Sequence, residues 1–100
     1  MSLEGHASIS HEILASYAAD AAREVDGVRR LVDGHLPRRG GVRISGDDGG
    51  ALRIELHLAV DWGASLPQLG AAVQQRVREY VGRMTDLRVA AVEVVVEEIG

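Results

Sequence analysis

The sequence predicts an α+β fold of two layers, in which two helices pack on one face of a small mixed β-sheet. Two stretches have the apolar rhythm of amphipathic helices, and strand-like segments lie between and after them. With 100 residues and 46% hydrophobic residues, the chain is long enough for one core, so we expect a single domain over residues 1–100. The first clear element begins after residues 1–7, which we expect to be flexible.

The first helix begins after Ser10, a residue type that caps helix N-termini well. Glu12 lies in the first turn, where the helix dipole favours an anion. Gly27 is placed to stop the helix. Ile9, just before the cap, either staples onto the helix or forms a short strand. One buried stripe is expected to contain Ile13, Leu14, Tyr17, Ala18, Ala21, Ala22 and Val25.

The middle of the chain is rich in strand signals. Val28–Val32 and Val42–Ser45 are short strand candidates. Between them, Gly34–Gly41 contains proline, arginine and glycine, which favours a loop. Gly46–Gly50 combines aspartate with glycine and is predicted to be a turn.

A long strand follows, and its alternation is the strongest strand signal in the chain. Polar residues such as Arg53 and Glu55 occupy every second position, and Gly63 ends the pattern. The apolar face, which we expect in the core, consists of Leu52, Ile54, Leu56, Leu58, Val60 and Trp62.

Ser65 is expected to cap the second helix, with Pro67 tolerated in its first turn because that N–H has no partner within the helix. The last strand, Leu87–Ile99, follows this helical crossover, so it should run parallel to the long strand. The buried stripe of the second helix is predicted to be Leu66, Leu69, Val73, Val77, Tyr80, Val81 and Met84.

Two ordered sets of residues resemble the motifs of a known family. The first set is Ile9-Ser10, Ile13-Leu14, Ala21-Ala22, Glu24-Val25 and Gly27-Val28. The second is Val60-Asp61-Trp62-Gly63, Val73-Gln74, Val77, Met84-Thr85, Leu87, Val89 and Val92. Together they resemble the alkaline shock protein family of envelope-stress proteins over nearly the whole chain. Trp62 stands where that family usually has tyrosine, Asp86 where it has glycine and Glu93 where asparagine is common.

This resemblance implies a cytoplasmic bacterial protein linked to envelope stress and cell-envelope homeostasis. Some members of the family are held at the membrane by an anchor protein, and some self-assemble. The resemblance implies no catalytic residues, so none are carried over. The longer charged tails of the family are missing from this sequence, so the resemblance does not extend to tail-dependent interactions.

The composition excludes several kinds of chemistry. Cysteine is absent, so disulfides, thiol catalysis and cysteine-based metal sites are ruled out. His6, His11, His35 and His57 do not have the spacing of a ligand set, and we expect solvated histidines with no bound metal or cofactor. No stretch approaches the roughly 18 apolar residues of a membrane-spanning helix, so no direct membrane insertion is expected. Without a paired acid and base, the chain is predicted not to be an enzyme.

Two places remain as candidate interaction sites. The first is a basic loop around Arg38 and Arg39, which supports an alternative interpretation as a small nucleic-acid-binding domain. The formal net charge of −4 makes nucleic acid an unfavourable partner. The second is the last strand, whose alternate face carries Glu93, Val95 and Glu97 and is either an ordinary strand face or an assembly surface.

The favoured interpretation is therefore a non-enzymatic scaffold or adaptor that works through protein–protein interaction. Its partner would be another copy of the chain, in a homo-oligomer, or a membrane-anchored protein. The expected location is the cytoplasm, including its membrane periphery when such a partner is bound.

Overall fold

The computed structural model describes residues 9–33, 40–46 and 50–100, and arranges them as two helices on one face of a four-stranded sheet. The predicted α+β class and the mixed sheet are confirmed, because two strands pair antiparallel with the central strand and one pairs parallel. In chain order the elements are α1 (His11–Arg23), β1 (Val28–Leu31), β2 (Val42–Gly46), β3 (Leu52–Val60), α2 (Leu66–Thr85) and β4 (Val89–Ile99).

The first helix begins as its sequence indicates but ends early. The Ser10 hydroxyl accepts a hydrogen bond from the N–H of Ile13 at 3.1 Å, which confirms the predicted cap. At the other end, the N–H of Glu24 bonds to Ala21 and that of Val25 to Ala22, so the last turn tightens to a three-residue spacing. The helix therefore stops at Arg23.

The strand β3 is the centre of the sheet. On one side, β2 pairs with its first half and β1 with its second half. The two short strands meet opposite His57, whose N–H donates to Gly41 and whose carbonyl accepts from Val32, both at 2.8 Å. Gly41 has φ +78°, and a Cβ there would lie 2.8 Å from the backbone nitrogen of Val32, so this junction requires glycine.

The core lies between the helices and the inner face of the sheet. Small side chains on α1 let it approach α2 and the strands closely, and Tyr17 meets Tyr80 edge to face at 5.8 Å between ring centroids. The most deeply buried residues are Leu14, Ala18, Ala21 and Ala22 of α1, Ile54, Leu56, Leu58 and Val60 of β3, and Val73, Val77 and Val81 of α2.

Four residues predicted to be buried are exposed instead. Ile13 and Met84 are each 47% exposed, Leu66 is 40% exposed and Trp62 is 82% exposed. Leu66 and Met84 lie at the two ends of α2, and Trp62 lies two residues beyond the end of β3. Ser65 does occupy the cap position of α2, but its side chain makes no capping hydrogen bond.

Candidate functional site

The strand β4 lies at an edge of the sheet. Nine of its 11 residues pair in parallel with β3, from Leu52 opposite Val89 to Val60 opposite Ile99, and the register shifts at Ala90 and Glu97. Since β1 and β2 occupy the other side of β3, the outer edge of β4 is open over the ranges that the structure covers. An open edge of this length presents backbone N–H and C=O groups to any extended partner.

The two faces of β4 have different surroundings. Val89 and Val92 are buried in the core, and Val94 and Val96 pack against it. On the opposite face, Glu93, Val95 and Glu97 share the outer surface of the sheet, which neither helix covers. Val95 is 38% exposed there, and Ile99 at the end of the strand is 51% exposed. The structure therefore brings three of the predicted interaction residues onto one face.

A histidine lies among these residues. His57 of β3 is opposite Val95 in the strand register, and it is only 6% exposed although it lies on the outer face. Its Nδ1 is 2.5 Å from Oε2 of Glu97, and its Nε2 is 2.5 Å from Oε2 of Glu55. The prediction that His57 is solvated is therefore wrong, because the neighbouring acidic side chains cover and bind the ring.

The geometry of this cluster indicates a role in stabilising the sheet. A doubly protonated imidazole donates to both carboxylates, while a neutral ring donates to only one of them. Both nitrogens are occupied and the ring is buried, so it is not open to a substrate. The alternation of Glu55 and His57 was visible in the sequence, but the approach of Glu97 depends on the pairing with β4 and carried no local signal.

Charged residues surround the cluster on the same face. Arg30 of β1 pairs with Glu98 of β4 at 2.7 Å, and this ion pair links the two strands on either side of β3. Arg43 lies opposite Glu55 on β2, and Glu93 lies opposite Glu55 on β4. The outer face is thus a mixed charged surface, with Val95 as its exposed apolar residue.

The other predicted interaction residues, Arg38 and Arg39, lie outside the described residues. So do His6 and His35. Over residues 9–33, 40–46 and 50–100, no group of three or more His, Cys, Asp or Glu side chains has an arrangement that could hold a metal ion. Within the same ranges, neither helix combines the length and the apolar character that crossing a membrane requires.

Solved structures share the fold. The MamM CTD, residues 215–293, is 19% identical to this chain, with a TM-score of 0.58 over 89% of this chain and 99% of that one. A nickel form of a MamM CTD variant is 20% identical, with a TM-score of 0.56 over 87% of this chain and 96% of that one. At such identities these similarities show the fold alone.

Sequence comparisons identify the family of this chain. The uncharacterized protein YqhY of Bacillus subtilis (strain 168) is 31% identical over 101 residues, which cover 90% of this chain and 73% of YqhY. The family model of alkaline shock protein 23, described as having a cell envelope-related function, matches residues 2–100. The resemblance seen in the sequence motifs is thereby confirmed, and the chain belongs to the alkaline shock protein 23 family.

Proposed function

We propose that the chain is a non-enzymatic adaptor in cell-envelope homeostasis that acts by binding proteins, first of all further copies of itself. The family's cell envelope-related function supports the setting. We place the chain in the cytoplasm, where a membrane-anchored partner would bring it to the membrane periphery during envelope stress.

The open edge of β4 is the observation that carries this proposal. A second β4 can add to it by backbone hydrogen bonds, and an antiparallel arrangement about a two-fold axis gives a closed dimer. Val95 adds an exposed apolar contact beside the edge. Glu93 and Glu97 lie on the same face. Repulsion between these carboxylates on neighbouring copies would limit assembly beyond the first pairing.

Light scattering across a concentration series tests the self-association. We expect the apparent mass to rise above that of one chain in the micromolar range. Val95→Lys should keep the chain monomeric, because it places a cation where the apolar contact forms. Met84→Lys removes an apolar residue that is 47% exposed, against 38% for Val95, from the end of α2, and it should associate as the parent does. A strict monomer at high micromolar concentration would contradict assembly through β4.

The adaptor role is tested separately from self-association. Heparin retention at low salt distinguishes it from the nucleic-acid interpretation based on Arg38 and Arg39. We expect the chain to flow through, in keeping with its net charge of −4. In the native bacterium, deletion of the gene should reduce tolerance to envelope-damaging agents, and the Val95→Lys chain should restore that tolerance less well than the parent chain. Full tolerance of the deletion strain would argue against an envelope role.

A further inference from the structure

Trp62 stands out among the surface residues of this protein. It is the only tryptophan in the chain, and 82% of it is exposed. Tryptophan has a large apolar ring system with one hydrogen-bond donor, and such side chains are concentrated where proteins bind one another. The ring lies in the turn between β3 and α2, where the backbone N–H of Trp62 donates to the carbonyl of Gly100, just beyond the end of β4, at 3.0 Å.

A groove runs beside Trp62, between the residues that follow α1, the turn 61–65 and residues 68–79 of α2. Its volume is about 960 Å³, comparable with the larger ligand clefts of proteins. Gly27 packs closely against Leu69 in the lining of the groove, since a Cβ at this position would lie 2.8 Å from Cδ1 of Leu69. Ala64 and Ala72 line it as well, and their small side chains leave room for the side chains of a bound chain.

The charge of the groove indicates what it would bind. Four carboxylates line it, against one guanidinium, that of Arg76. Arg76 pairs with Glu24 at 3.1 Å and Arg29 pairs with Asp61 at 3.8 Å, whereas Asp26 makes no ion pair with any described residue. The groove therefore attracts a cation and repels phosphate groups. The carboxylates belong to Glu24, Asp26, Asp61 and Glu79.

The first turn of α2 adds backbone hydrogen-bond donors. The Ser65 carbonyl accepts from the N–H of Leu69 at 2.8 Å, but the Ser65 side chain makes no cap, so the N–H groups of Leu66 and Gln68 receive no acceptor from it. Carbonyl oxygens of an extended peptide can accept from these N–H groups. Gln68 and Gln75 also line the groove, and each side-chain amide has an NH2 donor and a carbonyl acceptor. These features suit a polypeptide better than an isolated cation.

We propose that this groove binds an extended basic segment of a partner protein, with an Arg or Lys side chain placed over the indole of Trp62. The ring face attracts a cation, and the carboxylates of Asp26 and Glu79 hold neighbouring basic residues. This inference rests on the proposed role as a protein-binding adaptor and names the chemistry of its partner. None of the residues that line the groove belongs to β4.

A displayed library of random twelve-residue peptides, selected against the full chain, tests the proposal. The selected peptides should be rich in Arg and Lys, and synthetic copies should change the Trp62 fluorescence as they bind. Trp62→Ala should weaken their binding about tenfold or more, while Trp62→Tyr retains most of it. Asp26→Asn combined with Glu79→Gln should also weaken binding and reduce its salt dependence.

Matched controls and contrary outcomes make the test decisive. Met84→Ala and Asp86→Asn alter an exposed apolar residue and an acidic residue at the far end of α2, and both should leave peptide binding unchanged. Selected peptides without basic residues, no selected peptides at all, or equal binding by Trp62→Ala would each overturn the proposal. So would a Trp62 blue shift caused by phosphatidylglycerol vesicles but not by the peptides, since the ring would then be a membrane contact.

The two proposals can fail independently. A chain that binds basic peptides through Trp62 but remains a monomer would support the groove proposal and contradict assembly through β4. A chain that self-associates through β4 but binds no basic peptide would support assembly and contradict the groove proposal. The circular dichroism spectrum of Trp62→Ala should match that of the parent, because the exposed ring contributes little to the core.

Discussion

Nδ1 of His57, on the central strand β3, lies 2.5 Å from a carboxylate oxygen of Glu97 on the edge strand β4. On the other side of the ring, Nε2 contacts the carboxylate of Glu55 at the same distance. The contact with Glu97 therefore fastens the edge strand to the sheet through side chains as well as backbone. Glu97 is engaged in this cluster, which leaves Val95 and Glu93 as the residues of this face best placed to meet another molecule.

Replacing the histidine tests whether this cluster stabilises the sheet. His57→Leu keeps the buried volume similar but removes the hydrogen-bonding partner of two carboxylates. We expect it to lower the free energy of unfolding by about 1–3 kcal/mol. Glu97→Gln retains an oxygen acceptor and should lower it by less than about 1 kcal/mol. Urea denaturation at low protein concentration measures both, and an unchanged midpoint for His57→Leu would show that the cluster contributes nothing.

Truncating the centre of β3 should have a larger effect. Leu56 is completely buried against the helices, so Leu56→Ala removes apolar contacts and leaves a cavity. The expected loss is about 2–5 kcal/mol of unfolding free energy, a large share of the stability of a small domain. Arg53→Ala changes an exposed residue on the opposite face of the same strand and should stay within about 0.5 kcal/mol of the parent. Equal midpoints for the two variants would contradict the assigned faces.

Two glycines allow backbone strain to be separated from steric overlap. Gly27 and Gly63 have similar positive φ angles, +97° and +88°, so alanine is strained at both. Only at Gly27 does the added Cβ meet a neighbour, at 2.8 Å from Leu69, since nothing lies within 4 Å at Gly63. We expect Gly63→Ala to cost about 1–2 kcal/mol and Gly27→Ala distinctly more. Thermal or urea unfolding of the pair measures the difference, and equal losses would argue against the overlap with Leu69.

Much of the core could be predicted from the sequence, because its signals are local. Val73, Val77 and Val81 repeat every four residues, as one buried side of a helix requires, and all three are fully buried. The alternation from Leu52 to Val60 likewise marks the inner face of the sheet. The parallel pairing of β3 with β4 follows from the helix that connects them. These features needed no knowledge of distant contacts.

The surfaces could not be predicted in the same way. The period-two pattern continues to Trp62, but burial ends at Val60, because the covering side chains of α2 begin only at Leu69. Sequence alternation reports which face a residue lies on and not how far the opposing layer extends. The burial of His57 depends on Glu97, forty positions away, which strand pairing brings to it. Both errors come from packing between elements, which the alternation within one strand does not report.

The end of α2 offers a substitution that should raise stability. Asp86 caps this helix with φ +59°, in the left-handed region, and its N–H bonds to the carbonyl of Gly82 at 2.8 Å. Glycine adopts this conformation without the steric penalty of a Cβ, so we expect Asp86→Gly to add about 0.5–1 kcal/mol to the unfolding free energy. Asp86→Ala keeps the Cβ without the local polar side chain and should lower it instead. Denaturant melts that place both variants below the parent would show that the aspartate carboxylate stabilises the cap more than its backbone strain destabilises it.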